Sequence, residues 1–274
     1  MSSMEIILFR LALAMCALGT AGFLLSLLVK RVALARVSTW ILVIAFGLLT
    51  INLFLSVVNP ERWANLGSRA FFSFCAWATS GAYLAFQLKT KTRILGAFIS
   101  PFILLLMIAA AGRSSGGSLV PEEMRSWLTI LHLVLVIGGE ALFVLASCAG
   151  AMFVIQNSLL KHKRLSKMSK LLPALQDLDR VNHLCLLWGF PILTSGLMAG
   201  VVFAGFTLKS GWPADPKIIW TFIVWAVYGF LLHQRLAIGW KGIRMAVVSC
   251  AVFILFLLSY LGVRFCFSTM HDFI

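Results

Sequence analysis

Long apolar runs separated by short polar stretches organise the whole sequence. The apolar segments cover approximately residues 5–28, 38–58, 69–88, 93–112, 127–156, 185–208, 218–238 and 243–267. Each run is continuous instead of alternating with period two, and one helix needs about 20 residues to cross about 30 Å of hydrocarbon. The pattern therefore predicts an all-α fold, a polytopic membrane helical bundle of about eight transmembrane helices, with residues 1–274 forming one transmembrane domain.

Composition supports the membrane class. The chain is 61% hydrophobic and 12% charged, with a mean hydropathy of +0.99. Soluble domains have about 45–50% apolar and about 25% charged residues, so a soluble fold could not bury this much apolar surface.

Basic residues are distributed unevenly between the two sides of the predicted bundle. Alternate loops, at about 30–36, 89–93, 161–180 and 235–244, contain 15 Lys and Arg residues, whereas the other loops and the tail contain 7. The positive-inside rule makes the richer loops cytoplasmic, so both termini are predicted to lie outside. The net charge of +14 then indicates contact with anionic lipid in the bilayer, not with nucleic acid.

No sequence pattern points to an enzyme. The six cysteines are scattered without paired spacing, and only nine residues are acidic. We therefore expect neither a thiol-redox site nor acid–base catalysis. Glu140, in the middle of the fifth segment, is an expensive group in a membrane; it is either functional or paired within the bundle.

Histidines and tryptophans meet at the predicted outer side. His132 lies only about 7 Å into the fifth helix, and His271 follows the eighth, level with Trp212 and Trp220 in the loop 209–220. Two imidazoles beside aromatic rings would suit an iron-bearing macrocycle. Alternatively, these histidines are interfacial polar groups and the tryptophans form an anchoring belt.

Several motifs resemble the CcsA-type cytochrome c assembly proteins. They are LWGFPILTSGLMAG at 187–200, WPADPKIIW at 212–220, LHQR at 232–235, GWKG at 239–242 and SYLGVR at 259–264. The second motif resembles the tryptophan-rich WWD loop of this haem-handling family. The resemblance covers residues 127–271, with a degenerate WWD loop at 209–220.

The resemblance implies a haem site at the outer face. His132 and His271 are expected to be the axial ligands of the haem iron, and the cofactor-binding residues are expected to include Trp212, Asp215 and Trp220. The implied cofactor is haem b.

The resemblance also implies an inner site. His233 corresponds to a family histidine that holds haem in transit, but the first four segments lack a histidine to pair with it. His183 or a second membrane subunit would have to supply the missing ligand.

Two departures from the family pattern leave the function open. Ala214 replaces the second tryptophan of the loop, and Ile218 replaces an acid, as in the short HemX-like branch. We expect a non-enzymatic, multi-pass protein of the cell's inner (plasma) membrane that delivers haem to the outer face for cytochrome c assembly. The alternative is a HemX-like regulator of tetrapyrrole synthesis that need not carry haem. A small-solute transporter is a third possibility, although the sequence has no inverted repeat.

Overall fold

A computed structural model describes residues 3–58, 68–90, 92–113, 127–162, 172–207 and 216–266. The described residues form eight α-helices and one short 3-10 turn, Arg93–Leu95. The helices are α1 Ser3–Val29, α2 Val32–Val58, α3 Ser68–Thr90, α4 Gly96–Ala111, α5 Trp127–Lys161, α6 Leu175–Thr207, α7 Pro216–Leu236 and α8 Ile243–Cys266. The predicted all-α helical membrane bundle is confirmed, whereas the outward position of both termini stays a prediction.

Five candidate spans in the described part are long and apolar enough to cross a membrane. They are Ser3–Val29, Val32–Ser56, Arg93–Ala111, Trp127–Lys161 and Leu175–Gly205. Two helices begin earlier than the apolar pattern predicts: α2 at Val32 and not near 38, and α6 at Leu175 and not near 185. The first turns of α6 include the polar residues Asp177 and Asp179, and polar side chains continue a helix as well as apolar ones when they are solvated or paired. The early part of α2 is apolar except for Arg36, which lies in its second turn.

The helices divide into two compact units. One contains α1 to α4 with the last turns of α5 and the first turn of α6, and the other contains α5 up to residue 154, α6 from residue 179, α7 and α8. The prediction that all 274 residues form a single domain stays a prediction.

Side-chain to backbone hydrogen bonds join the helices of the first unit. Asn52 of α2 donates to the Glu5 carbonyl of α1 at 3.0 Å, and Thr20 of α1 donates to the Ser100 carbonyl of α4 at 3.1 Å. Arg69 of α3 donates to the Ala110 and Arg113 carbonyls, so it caps the end of α4. Carbonyls at a helix end have no partner within the helix, and a cationic cap also suits the helix dipole.

A buried polar cluster joins three helices of the second unit. Asn182 of α6 donates to the Ala146 carbonyl of α5 and to the Ser249 hydroxyl of α8, both at 2.8 Å. Ser147 of α5 donates to the Ser249 carbonyl at 3.0 Å. Because a polar group in an apolar interior must find a hydrogen-bond partner, these bonds fix how α5, α6 and α8 align.

Candidate functional site

His132 lies in the second turn of α5 and points at α6. The ring is half-buried, and its Nδ1 lies 2.7 Å from the Gly196 carbonyl oxygen. A Cβ atom built on Gly200 would lie 2.7 Å from Nδ1 and 2.9 Å from Cε1 of the same ring. The imidazole therefore occupies the space that a side chain at position 200 would need.

The hydrogen bond to Gly196 fixes the tautomer of His132. A carbonyl oxygen can only accept, so Nδ1 of His132 carries the hydrogen. In the neutral ring Nε2 then holds the lone pair. Metal-binding histidines commonly have this arrangement, in which one ring nitrogen donates to a backbone carbonyl and the other coordinates.

Close approach of α5 and α6 places the ring against the Gly196 carbonyl. A Cβ atom on Gly139 of α5 would lie 2.9 Å from the Leu193 backbone nitrogen, and one on Gly196 would lie 2.8 Å from the Val136 backbone nitrogen. Side chains of any size at these two positions would push the helix backbones apart, as at other small-residue helix contacts in membranes.

Aromatic side chains of α7 pack on α5 and α6. The Trp225 indole donates to the Thr194 hydroxyl at 2.9 Å and stacks on Phe190 with ring centroids 5.7 Å apart. Tyr228 stacks on Phe143 with centroids 3.7 Å apart. These contacts tie α7, and with it Trp220 in its second turn, to the two helices that hold His132.

The structure describes only part of the predicted outer site. His132 and Trp220 lie in α5 and α7, and both side chains are half-buried. Trp212 and Asp215 fall in the stretch 208–215 and His271 in 267–274, outside the described residues. The pairing of His132 with His271 therefore stays a prediction. Within the described ranges, no three His, Cys, Asp or Glu side chains are grouped as a metal site would require.

His233 lies in the last turn of α7, and its side chain is exposed. Arg235, two residues later, is buried and pairs with Asp179 of α6 at 2.7 and 2.8 Å. Among the described residues, Nδ1 of His183 is buried without a hydrogen-bond partner.

Glu140 is half-buried in α5. The choice between a functional role and pairing within the bundle stays a prediction.

Sequence reasoning missed the residues that hold His132. The glycines Gly196, Gly200 and Gly205 predict a close helix approach, and Gly196 makes one, but nothing in one sequence joins Gly196 to a histidine 64 residues away. The glycine pattern does not reveal which helix makes the contact.

Comparison with known proteins supports the family resemblance of the sequence motifs. The family model described as "Cytochrome C assembly protein" matches residues 63–271, so the match includes α3 and α4 as well as the second unit. A cytochrome c biogenesis protein CcsA from Chlamydomonas reinhardtii is 30% identical over 81% of this chain and 65% of its own length.

Two further CcsA proteins are similar over most of their length. The one from Trieres chinensis is 27% identical over 81% of this chain and 83% of its own length, and the one from Porphyra purpurea is 26% identical over 92% and 94%. The family model matches most of the chain, and the described residues form helices, five of which are long and apolar enough to cross a membrane. The chain belongs to the CcsA-type cytochrome c assembly family and is a multi-pass membrane protein of cytochrome c biogenesis.

Proposed function

We propose that this protein binds non-covalent haem b near its outer face and presents it for cytochrome c assembly, without turning over a substrate. The observation that carries the proposal is the hydrogen bond from Nδ1 of His132 to the Gly196 carbonyl. This bond leaves the lone pair on Nε2, which would be the nitrogen that coordinates the iron of bound haem.

The residue types around His132 suit haem. The cargo needs axial nitrogen ligands and apolar walls that exclude water. His132 and His271 would supply the two nitrogens, and Trp212, Asp215 and Trp220 would line the wall. A bound haem supplies an iron centre that accepts these nitrogens, and the protein's part is to hold, orient and release it.

The shallow position of His132 supports release to the outside. The ring lies in the second turn of α5, about 7 Å from the helix start. A cargo held at this depth is near the membrane surface, whereas one held at mid-helix would be surrounded by lipid and protein.

A second membrane subunit is part of the proposal, because the His233 side chain is exposed at the end of α7. A partner helix could place a ligand opposite this ring. We place the complex in the plasma membrane, and co-purification of a second membrane protein in stoichiometric amounts would support it; full haem transfer by the purified chain alone would contradict it.

No observation comparable to the hydrogen bond of His132 supports the alternative function, a regulator of tetrapyrrole synthesis. The reported relatives are named for cytochrome c biogenesis, and the comparisons give no support to a HemX-like regulator of tetrapyrrole synthesis.

Replacing His132 with Asn separates coordination from packing. The Asn amide keeps a donor close to the position of Nδ1 and preserves the bond to Gly196, but it has no counterpart of Nε2. We expect His132→Asn to fold with an unchanged thermal midpoint and to retain several-fold less haem than the wild-type protein. The control is His162→Asn, because His162 is exposed at the end of α5. Normal haem content and spectrum in His132→Asn would contradict the proposal.

A further inference from the structure

Gly196 and Gly200 of α6 have different neighbours. A Cβ on Gly196 would meet the backbone and side chain of Val136 at 2.8 and 2.9 Å, so this glycine sets the spacing of two helices. The three atoms nearest to a Cβ on Gly200 all belong to the His132 ring, and Nδ1 is the nearest at 2.7 Å. A side chain at position 200 would therefore collide first with this ring.

We infer that Gly200 is a positioning residue for His132: its missing side chain lets the imidazole lie against α6 and donate from Nδ1 to the Gly196 carbonyl. The inference rests on the proposed haem function and adds to it the residue that sets the ligand's orientation.

A methyl group at position 200 would not fit beside the His132 ring in its present place. Carbon and nitrogen atoms in contact need about 3.5 Å, so a methyl group at position 200 would force the ring to move by several tenths of an ångström or to change rotamer. Either movement lengthens or breaks a hydrogen bond that is 2.7 Å long. A coordinating group must be held within about 0.5 Å and 10–20° of its working geometry, so the displaced ring would no longer present Nε2 correctly.

The same helix provides a matched control. Within the described residues, nothing lies within 4 Å of a Cβ built on Gly205. Gly205→Ala makes the same chemical change in the same helix and improves helix propensity, but it does not touch His132. Comparing Gly200→Ala with Gly205→Ala separates the effect on the ring from the effect of adding a methyl group to α6.

The first measurement needs no haem. In ligand-free protein with ¹⁵N-labelled histidine, the ring nitrogens of His132, assigned by their loss in His132→Asn, should show hydrogen on Nδ1. Gly205→Ala should keep this tautomer, and Gly200→Ala should lose it in favour of hydrogen on Nε2, which prevails in solvated imidazole. An unchanged tautomer in Gly200→Ala would overturn the inference.

The second measurement is haem retention. Gly200→Ala should retain several-fold less haem than wild-type protein or Gly205→Ala, and added imidazole should restore part of the loss. Wild-type retention in Gly200→Ala would overturn the inference. If His132→Asn instead retains haem normally, the proposed function fails, and the tautomer measurement still tests the contact between Gly200 and His132.

A third comparison tests the inference even if Gly200→Ala folds poorly: it makes the same change in two backgrounds, with and without the His132 ring. The atoms closest to the added methyl group all belong to the His132 ring, so the Gly200→Ala change should lower the thermal midpoint in the wild-type background but not in a His132→Ala background. It should also cause no further loss of haem there. Equal destabilisation in both backgrounds would show that Gly200 acts on the helix as a whole, and would overturn the inference.

Discussion

Asp179 of α6 accepts hydrogen bonds from both terminal guanidinium nitrogens of Arg235 in α7, at 2.8 and 2.7 Å. The same carboxylate accepts the Gly242 backbone N–H at 2.8 Å. Gly242 lies in the turn between α7 and α8 and has a φ of +66°, a left-handed conformation that favours glycine. One carboxylate therefore fixes the end of α7 and the start of α8 to the beginning of α6.

Removing the charge of Asp179 should destabilise the second unit. Asp179→Asn leaves the Arg235 guanidinium, whose side chain is 6% exposed, without its counter-ion. Breaking a fully buried pair costs about 3–5 kcal/mol. Because Asp179 keeps 20% exposure, we expect a smaller loss, roughly 2–3 kcal/mol, measured as a lower midpoint of thermal unfolding in detergent.

Two variants control this prediction. Asp177→Asn changes an exposed carboxylate in the first turn of the same helix and should cost less than about 1 kcal/mol. The double variant Asp179→Asn, Arg235→Gln removes the stranded charge and should recover part of the loss. An Asp179→Asn midpoint equal to that of Asp177→Asn would show that the ion pair contributes nothing.

The closeness of α5 and α6 can be tested at two adjacent glycines. Gly139→Ala would place a methyl group 2.9 Å from the Leu193 backbone, and overpacking of this kind costs about 1–3 kcal/mol. Among the residues that the structure describes, a methyl group from Gly138→Ala meets only the Ile192 side chain, at an ordinary 3.8 Å. We expect Gly139→Ala to lower both the thermal midpoint and haem retention, because the helices that hold His132 separate.

Gly138→Ala is the matched control, since it adds the same group one residue away. It should unfold at or slightly above the wild-type temperature, because alanine favours the helix over glycine. If the two variants behave alike, the tight contact at Gly139 does not determine the helix spacing.

The sequence predicts the helices well and their contacts poorly. The thickness of the membrane and the hydropathy of the sequence determine where helices α1 to α8 lie along the chain, because a segment that spans a membrane must satisfy its backbone hydrogen bonds internally. The apolar pattern predicts too late a start for α6 because residues 175–184 are largely polar, and pairing such as that of Asp179 with Arg235 permits polar residues in a helix. That pairing joins residues 56 positions apart, which periodicity along one chain does not report.

The predicted outer site can be divided in the same way. The apolar run predicts a helix that starts near residue 127, and the structure has His132 in the second turn of that helix; the outward position of this end stays a prediction. The direction of its ring depends on the gap left by Gly200 on another helix. The pattern along the sequence predicts the position of His132 in its helix, whereas the direction of its ring depends on how the helices pack in three dimensions.

Reporter fusions should test the predicted topology. The excess of basic residues in alternate loops predicts that reporters placed after residues 91, 165 and 240 face the cytoplasm. Reporters after residues 118 and 210 should face outwards. An outward reporter after residue 165 or 240 would reverse the side on which α5 begins, and would place His132 on the cytoplasmic side.

The predicted ligand pair can be tested by replacing both histidines. Two imidazoles hold haem iron more firmly than one, so His132→Ala or His271→Ala should each lower haem content and leave a coordination position open to a small ligand. Added imidazole should restore part of the haem in each single variant. The double variant His132→Ala, His271→Ala should lose nearly all of it.

Measuring haem content in these histidine variants requires expression with excess haem and a control variant. Ala214 and Ile218 replace an aromatic ring and an acid that the family motif has, so haem affinity is expected to be modest, and the proteins should be expressed with excess haem. His162→Ala removes an exposed histidine and should leave the spectrum unchanged, because its ring is at the opposite end of α5 from His132. If the double variant kept the wild-type spectrum and stoichiometry, haem would be bound elsewhere, and the hydrogen bond between His132 and Gly196 would be a packing contact only.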